Sequence, residues 1–281
     1  MPDEAGVPSS GGVTVADVAY QQVDGQPMLA RLYRPARPVA ALVEVHGGAW
    51  TSNDRLKNEP IVAPLAADGT LVMSIDFRMP PQAAYPASIA DINLAVRWLK
   101  SRAAEFGIDA AKVGLLGTSS GGHQVLLAAV KPDDPRYGAL PLPGGGAVDA
   151  SVAYAVACWP IADPLDRYRM AQREGKANLV ANHDAYWGSE AAMQDGSPQR
   201  IVESRSHAAL PPIFIVHGTK DGNVRHTASE RYAATYREAG GSAEVKIYEG
   251  QPHAFIGENV GHPDSMDAIA RIAAFIRRHG R

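Results

Sequence analysis

Gly117-Thr118-Ser119-Ser120-Gly121 follows a short apolar run, Lys112-Val113-Gly114-Leu115-Leu116, and precedes a helix-like stretch over 122–130. A G-x-S-x-G pentapeptide between a strand and a helix predicts a turn so sharp that the serine is strained, with its hydroxyl proud of the sheet. Strand and helix nearly touch at such a turn, so only small residues fit two before and two after the serine. The competing reading is a plain Gly/Ser turn capping a helix, with Ser119 or Ser120 as the N-cap.

A second motif, His46-Gly47-Gly48-Ala49-Trp50, directly follows residues 40–45, which are apolar except for Glu44. Glycines after an early strand let the backbone curl until successive N–H groups point at one spot, where a developing negative oxygen can be held. The expected donors are the amides of Gly48 and Ala49, with that of Ser120. His46 is read as a brace for this loop, and a simple strand-to-loop glycine turn is the alternative for the motif.

A serine nucleophile needs a base, and the base needs an orienting acid. Of nine histidines, His253 has the fitting context: it lies in Gly250-Gln251-Pro252-His253-Ala254-Phe255, after a strand-like run and before the last amphipathic helix. Asp221 ends an apolar run and a glycine turn, Ile213-Phe214-Ile215-Val216-His217-Gly218-Thr219-Lys220-Asp221. An Asp-Gly turn with Gly222 is its bland reading. Glu249 and Asp264 are weaker candidates for the acid. The order Ser119, Asp221, His253 is a recognised order for such a triad on an α/β sheet.

On these residues the chain resembles the α/β-hydrolase superfamily, in its esterase/lipase group with an H-G-G loop: hormone-sensitive-lipase-like carboxylesterases, esterases of the feruloyl-esterase type and kynurenine formamidases. The resemblance runs over about 15–279. Asp76-Phe77-Arg78, Tyr85-Pro86 and Asp91 resemble the D-Y-R…Y-P…D stretch of that group, and Ser197-Pro198 and Leu210-Pro211-Pro212 match its pattern as well. Departures are Gly-Thr-Ser-Ser-Gly where hormone-sensitive-lipase-like enzymes read G-D-S-A-G, and Gly-Thr-Lys-Asp-Gly where they read D-P-L-x-D. H-G-G-x-W is the form carried by kynurenine formamidases. The resemblance implies a mostly parallel eight-stranded sheet with helices on both faces and a small cap.

The pass along the chain agrees. Residues 15–23 and 28–33 flank Asp24-Gly25, a hairpin signal. Strands are expected at 40–45, 70–75, 152–158, 213–217 and 243–248. Helices are expected at 59–68, 88–106, 228–239 and 265–278. Ile89, Ile92, Val96 and Leu99 keep helical spacing. Alternating strands and helices imply crossovers and a parallel sheet, whose ligands bind at the carboxyl ends of the strands. Ser119, Asp221, His253 and the Gly47-Gly48 loop all fall there. Residues 131–146 read as a surface excursion. Residues 160–199 read as a cap, in which Trp187 joins Trp50 and Trp159 as candidate pocket residues. Arg167, Arg169 and Arg173 are expected on a solvated face; a site for an acidic substrate is the sharper alternative.

Composition bounds the remaining readings. With 281 residues and 46% apolar content, the chain suits one α/β domain over 13–281. A net charge of −3 without a long basic cluster argues against nucleic acid and anionic membranes. The single Cys158 excludes an internal disulfide and reads as a core thiol. Residues 1–12 read as a frayed tail without signal-peptide character, so a cytoplasmic enzyme is expected. Neither metal nor organic cofactor is required. An edge strand or the last helix offers a homodimer surface. The expected function is a serine carboxylesterase for short acyl or aryl esters, and the alternative is an amidase of the kynurenine-formamidase type. A non-catalytic receptor on the same fold is disfavoured because His253 is kept. With His253 as base, activity should fall at acid pH.

Overall fold

The computed structural model describes residues 7–9 and 12–281. Its strands are β1 (Val7–Ser9), β2 (Val13–Val23), β3 (Gln26–Pro35), β4 (Ala40–Val45), β5 (Thr70–Ile75), β6 (Val113–Thr118), β7 (Ala155–Cys158), β8 (Ile213–Gly218) and β9 (Ala243–Tyr248). They form one sheet in the order β1-β2-β3-β5-β4-β6-β7-β8-β9. The pairs β1–β2, β2–β3 and β3–β5 are antiparallel. From β5 across to β9 every pair is parallel.

Parallel neighbours require crossovers, and helices supply most of them. These are α1 (Glu59–Ala67) after β4, α2 (Ala87–Ser101) and α3 (Ala103–Phe106) after β5, and α4 (Ser120–Val130) after β6. Between β7 and β8 lie α5 (Pro164–Arg173), α6 (Ala177–Trp187), α7 (Glu190–Asp195) and α8 (Pro198–Glu203). The chain continues with α9 (His226–Glu238) before β9, then α10 (Phe255–Glu258) and α11 (Pro263–His279). None of these helices is long and apolar enough to cross a membrane.

The expected sheet gains a ninth strand. Of the tail expected over 1–12, residues 1–6 and 10–11 lie outside the described residues, while Val7–Ser9 pairs with Val13–Val15. This pairing satisfies backbone groups that the start of β2 would otherwise present at an open edge. Asp24 and Gly25 both take positive φ, 50° and 76°, as a tight hairpin turn requires. The helix expected over 88–106 divides at Arg102 and stops at Gly107 in the left-handed conformation.

Strands β4, β5 and β6 are buried along their whole length, and alternation sends their side chains into two cores. Val43, Met73 and Leu115 pack with Ile89, Ile92, Val96 and Leu99 of α2 and with Leu126 of α4. Leu42, Val72 and Leu116 pack with Ile61 and Leu65 of α1 and with Ile272 and Phe275 of α11. Burial of each such side chain contributes roughly 1.5–3 kcal/mol.

A carboxyl group enters this interior from β4. Glu44 is fully buried, and its Oε1 accepts a 2.6 Å hydrogen bond from Asn58 Nδ2. Its Oε2 has no hydrogen-bond partner. Burial pushes the carboxyl up to about 7, partly opposed by the Asn58 and Ser74 side chains. The folded state therefore holds this proton to higher pH than the unfolded chain. Stability is lost as pH rises from the ordinary glutamate range to about 7. Glu44→Gln removes that loss, worth roughly 3 kcal/mol at most. Thermal melts should give a higher Tm for Glu44→Gln than for wild type at pH 8, and a much smaller difference at pH 4.5. An equal difference at both pH values would mean that Glu44 does not titrate in that window.

Candidate active site

At the end of β6 the chain turns directly into α4. Ser119 sits at the turn with φ 54° and ψ −115°, a strained conformation for a residue with a side chain. Its N–H donates to Cys158 O at 2.9 Å, and its carbonyl accepts from the His123 amide at 3.0 Å. The Ser119 side chain makes no cap bond to α4, which removes the plain capping reading. A Cβ on Gly121 would stand 2.1 Å from Val45 O, and one on Gly117 would stand 2.4 Å from Gly121 O. The glycines thus mark where strand, turn and helix touch. Nearby Cys158 is buried, and burial pushes its thiol up to about 12, so it presents no thiolate.

Ser119 Oγ lies 3.1 Å from His253 Nε2, and His253 Nδ1 lies 2.6 Å from Asp221 Oδ2. The three predicted residues are therefore one hydrogen-bonded chain, brought together from the ends of β6, β8 and β9. Asp221 Oδ1 accepts the amides of Asn223 and Val224, each at 2.8 Å. Burial would raise the Asp221 carboxyl, but hydrogen bonds from His217 and His253 outweigh it and hold the group well below the usual carboxylate range. The weaker candidates are elsewhere: Asp264 accepts from Gln251 Nε2 at 2.7 Å, and Glu249 is exposed.

No motif in the sequence marks His217 as part of the site. Its Nε2 lies 3.0 Å from Asp221 Oδ2 and 3.0 Å from Val224 O, and its Nδ1 lies 2.8 Å from Ser229 Oγ on α9. One tautomer satisfies all three contacts: Nε2–H donates to the two oxygens, and Nδ1 accepts from the Ser229 hydroxyl. A histidine inside an otherwise apolar strand, four residues before the acid, was the available signal.

The loop after β4 holds three successive positive φ angles, 129° at Gly48, 51° at Ala49 and 65° at Trp50. It is tied down on several sides. The Gly47 amide donates to Thr118 Oγ1 at 3.0 Å, Asn53 Nδ2 to Gly47 O at 3.0 Å, and Ser52 Oγ to Gly48 O at 3.0 Å. A Cβ on Gly48 would come within 2.1 Å of Ser52 O. His46 is buried, stacks on Phe77 with centroids 4.3 Å apart, and donates through Nδ1 to Gly47 O at 2.7 Å. Burial pushes its pKa down, so it is a neutral brace. Among the described residues the amides of Gly48 and Ala49 meet no protein acceptor. The Ser120 amide opens α4, where helix amides have no intrahelical partner.

Ser119, His253, Gly48 and Ala49 line a cleft of about 320 Å³. Trp159 belongs to its wall, with its ring 5.9 Å from that of His253. Trp50 and Trp187, expected beside it, do not line this cleft. Trp50 is fully buried, stacks on Tyr186 at 5.3 Å and donates through Nε1 to His123 Nδ1 at 3.2 Å. Trp187 lies edge-on to Trp50 and against Gly196. The left-handed turn at 48–50 carries the indole into this aromatic cluster, where it clamps the loop to α4. The arginines also divide. Arg169 and Arg173 are exposed, but Arg167 shares the buried side of α5 with Met170 and Ala171 and lines the cleft.

Comparison with known proteins agrees with this architecture. Residues 32–236 match the BD-FAE family. Esterase LipQ of Mycobacterium tuberculosis is 29% identical over 78% of this chain and 50% of its own length. Ethyl acetate hydrolase of Pseudomonas putida is 23% identical over 94% of this chain and 83% of its own. The chain spans about half the length of several curated relatives that it matches. A solved structure of a thermophilic esterase from Thermogutta terrifontis, with propionate bound, is 25% identical, covers 96% of both chains and superposes with a TM-score of 0.73. A match over most of the chain, on a sheet of this order with a serine at its elbow, makes this protein a member of the BD-FAE family, within the esterase/lipase group of the α/β-hydrolase superfamily.

Proposed function

We propose that this protein is a serine carboxylesterase acting on short-chain esters through an acyl-enzyme on Ser119. The observation that carries the reading is the unbroken chain Ser119–His253–Asp221, opening on a cleft lined by the unpaired Gly48 and Ala49 amides. His253 takes the Ser119 proton as Oγ attacks the ester carbonyl, and Asp221 holds the imidazole in the required tautomer and stabilises its cation. The amides of Gly48, Ala49 and Ser120 receive the oxyanion, and one such donor is commonly worth about 3–4 kcal/mol. The imidazolium then protonates the leaving alcohol, and water, activated by the same base, releases the acid.

The ester class is supported by the relatives, which include an esterase and an ethyl acetate hydrolase, and by the Thermogutta esterase, which holds propionate. The formamidase-type alternative is not favoured. The tryptophan of His46-Gly47-Gly48-Ala49-Trp50, which suggested it, is buried away from the cleft. A cleft of about 320 Å³ is at the small end for a ligand site. Across p-nitrophenyl esters from acetate to decanoate, kcat/KM should be greatest for acetate to butyrate and at least tenfold lower for decanoate. No turnover across the series by folded protein, with N-formylkynurenine hydrolysed instead, would overturn the reading.

A further inference from the structure

Arg167 is 6% exposed, yet it lines the same cleft as Ser119 and His253. A charge buried that deeply ordinarily meets a carboxylate or a full set of hydrogen-bond acceptors. Arg167 has neither. Its Nε donates to Asn223 O at 3.3 Å, and its guanidinium stands 5.8 Å from the Trp50 ring. Its Nη1 lies 3.5 Å from His183 Nδ1, but that nitrogen is no acceptor. His183 Nδ1 sits 2.7 Å from Leu179 O, and since a carbonyl only accepts, Nδ1 carries the hydrogen.

Asp221 does not serve as the missing partner. Its two oxygens already receive the Asn223 and Val224 amides and the His217 and His253 rings. The attraction between Arg167 and Asp221 acts through space only. Burial lowers the Arg167 pKa to about 10, which leaves it charged at neutral pH. The same charge, after burial itself, helps to drive His183 down to about 3, so His183 stays neutral and offers Arg167 no competing cation. The outer guanidinium nitrogens thus keep donors with no protein acceptor among the described residues. Asn182 lines the same cleft, and its Oδ1 accepts from Thr51 Oγ1 at 3.2 Å, which leaves its NH₂ as the donor it offers there.

We propose that Arg167, with Asn182 of the same cleft, binds a carboxylate carried by the substrate, so that the preferred esters bear a free carboxylate apart from the scissile bond. The inference rests on the esterase reading of Ser119. A guanidinium fork matches a carboxylate through two parallel N–H···O bonds, which an ammonium does not reproduce. The substrate class is then a half-ester of a short dicarboxylic acid, or an acylated hydroxy acid.

Two isosteric pairs test the proposal by kcat/KM: monomethyl succinate against methyl 4-methylpentanoate, and O-acetylglycolate against isobutyl acetate. Wild type should favour the carboxylated member of at least one pair by tenfold or more, mainly through KM, with the preference shrinking as salt is added. Arg167→Met, verified as folded by its thermal melt, should lose that preference, and Arg167→Lys should retain only part of it. If wild type hydrolyses the neutral members as well as the carboxylated ones in both pairs, the carboxylate site is wrong and the esterase stands. If folded wild type hydrolyses p-nitrophenyl acetate but none of the four, the carboxylate site is wrong and the esterase stands; if it hydrolyses neither p-nitrophenyl acetate nor any of the four, the esterase reading and the proposal fall together. The wild-type ratios decide the matter even if Arg167→Met does not fold.

Discussion

Ser119→Ala should lower kcat for p-nitrophenyl acetate by roughly 10⁴- to 10⁶-fold, the range seen when the nucleophile of a triad is removed. The Ser119 hydroxyl makes its one side-chain hydrogen bond to His253, and no cap bond to α4 depends on it. Alanine retains the backbone strain already borne at φ 54° and adds no atom to the turn. The variant should therefore melt within a few degrees of wild type while being inactive. More than about one per cent residual activity in rigorously purified Ser119→Ala would point to a different nucleophile. Cys158 does not offer one, since burial keeps its thiol protonated.

Asp221→Asn should lower kcat by about 10⁴-fold, through the tautomer of His253 rather than through the fold. Both oxygens of Asp221 act only as acceptors, Oδ1 for two backbone amides and Oδ2 for two imidazoles. An asparagine must place its NH₂ on one side. The backbone amides cannot reverse, so the NH₂ faces the imidazoles. His253 Nδ1 then becomes the acceptor, and its hydrogen moves to Nε2, where it points at Ser119 Oγ and leaves no base. His217 reverses as well and gives up Val224 O. The two rings can be followed by ¹⁵N NMR of the imidazoles, which should show the exchanged tautomers. A variant with unchanged His253 tautomer and a loss of less than about tenfold would contradict this role for Asp221.

The elements that place this site are governed by short stretches of chain, and those stretches were readable. Gly117 and Gly121 are needed because a Cβ at either would strike neighbouring backbone, a constraint that appears in sequence as G-x-S-x-G. Asp24-Gly25 set the β2–β3 hairpin in the same local way. Apolar runs of strand length, each followed by a glycine-containing turn, put Ser119, Asp221 and His253 at the same edge of one parallel sheet.

What escaped the reading depended on which surface each residue met after folding. Trp50 and Trp159 are both tryptophans beside a catalytic-type loop, but the backbone reversal at 48–50 turns one into the aromatic cluster, while the other stays on the cleft wall. Arg167 and Arg169 lie two residues apart on one polar helix. The periodicity of α5 separates their faces but does not say which face is covered, and that is decided by α6 and the Asp221 loop. His217 lies within β8, and its part in the site shows only once α9 brings Ser229 to its other nitrogen. The sequence by itself determined the turn chemistry, the order of the triad along the chain and the fold class, because backbone sterics and side-chain periodicity act over a few residues. Only the tertiary structure decided which polar groups the site uses and which charge it leaves unpaired, because burial and hydrogen-bond partners come from segments distant in the chain.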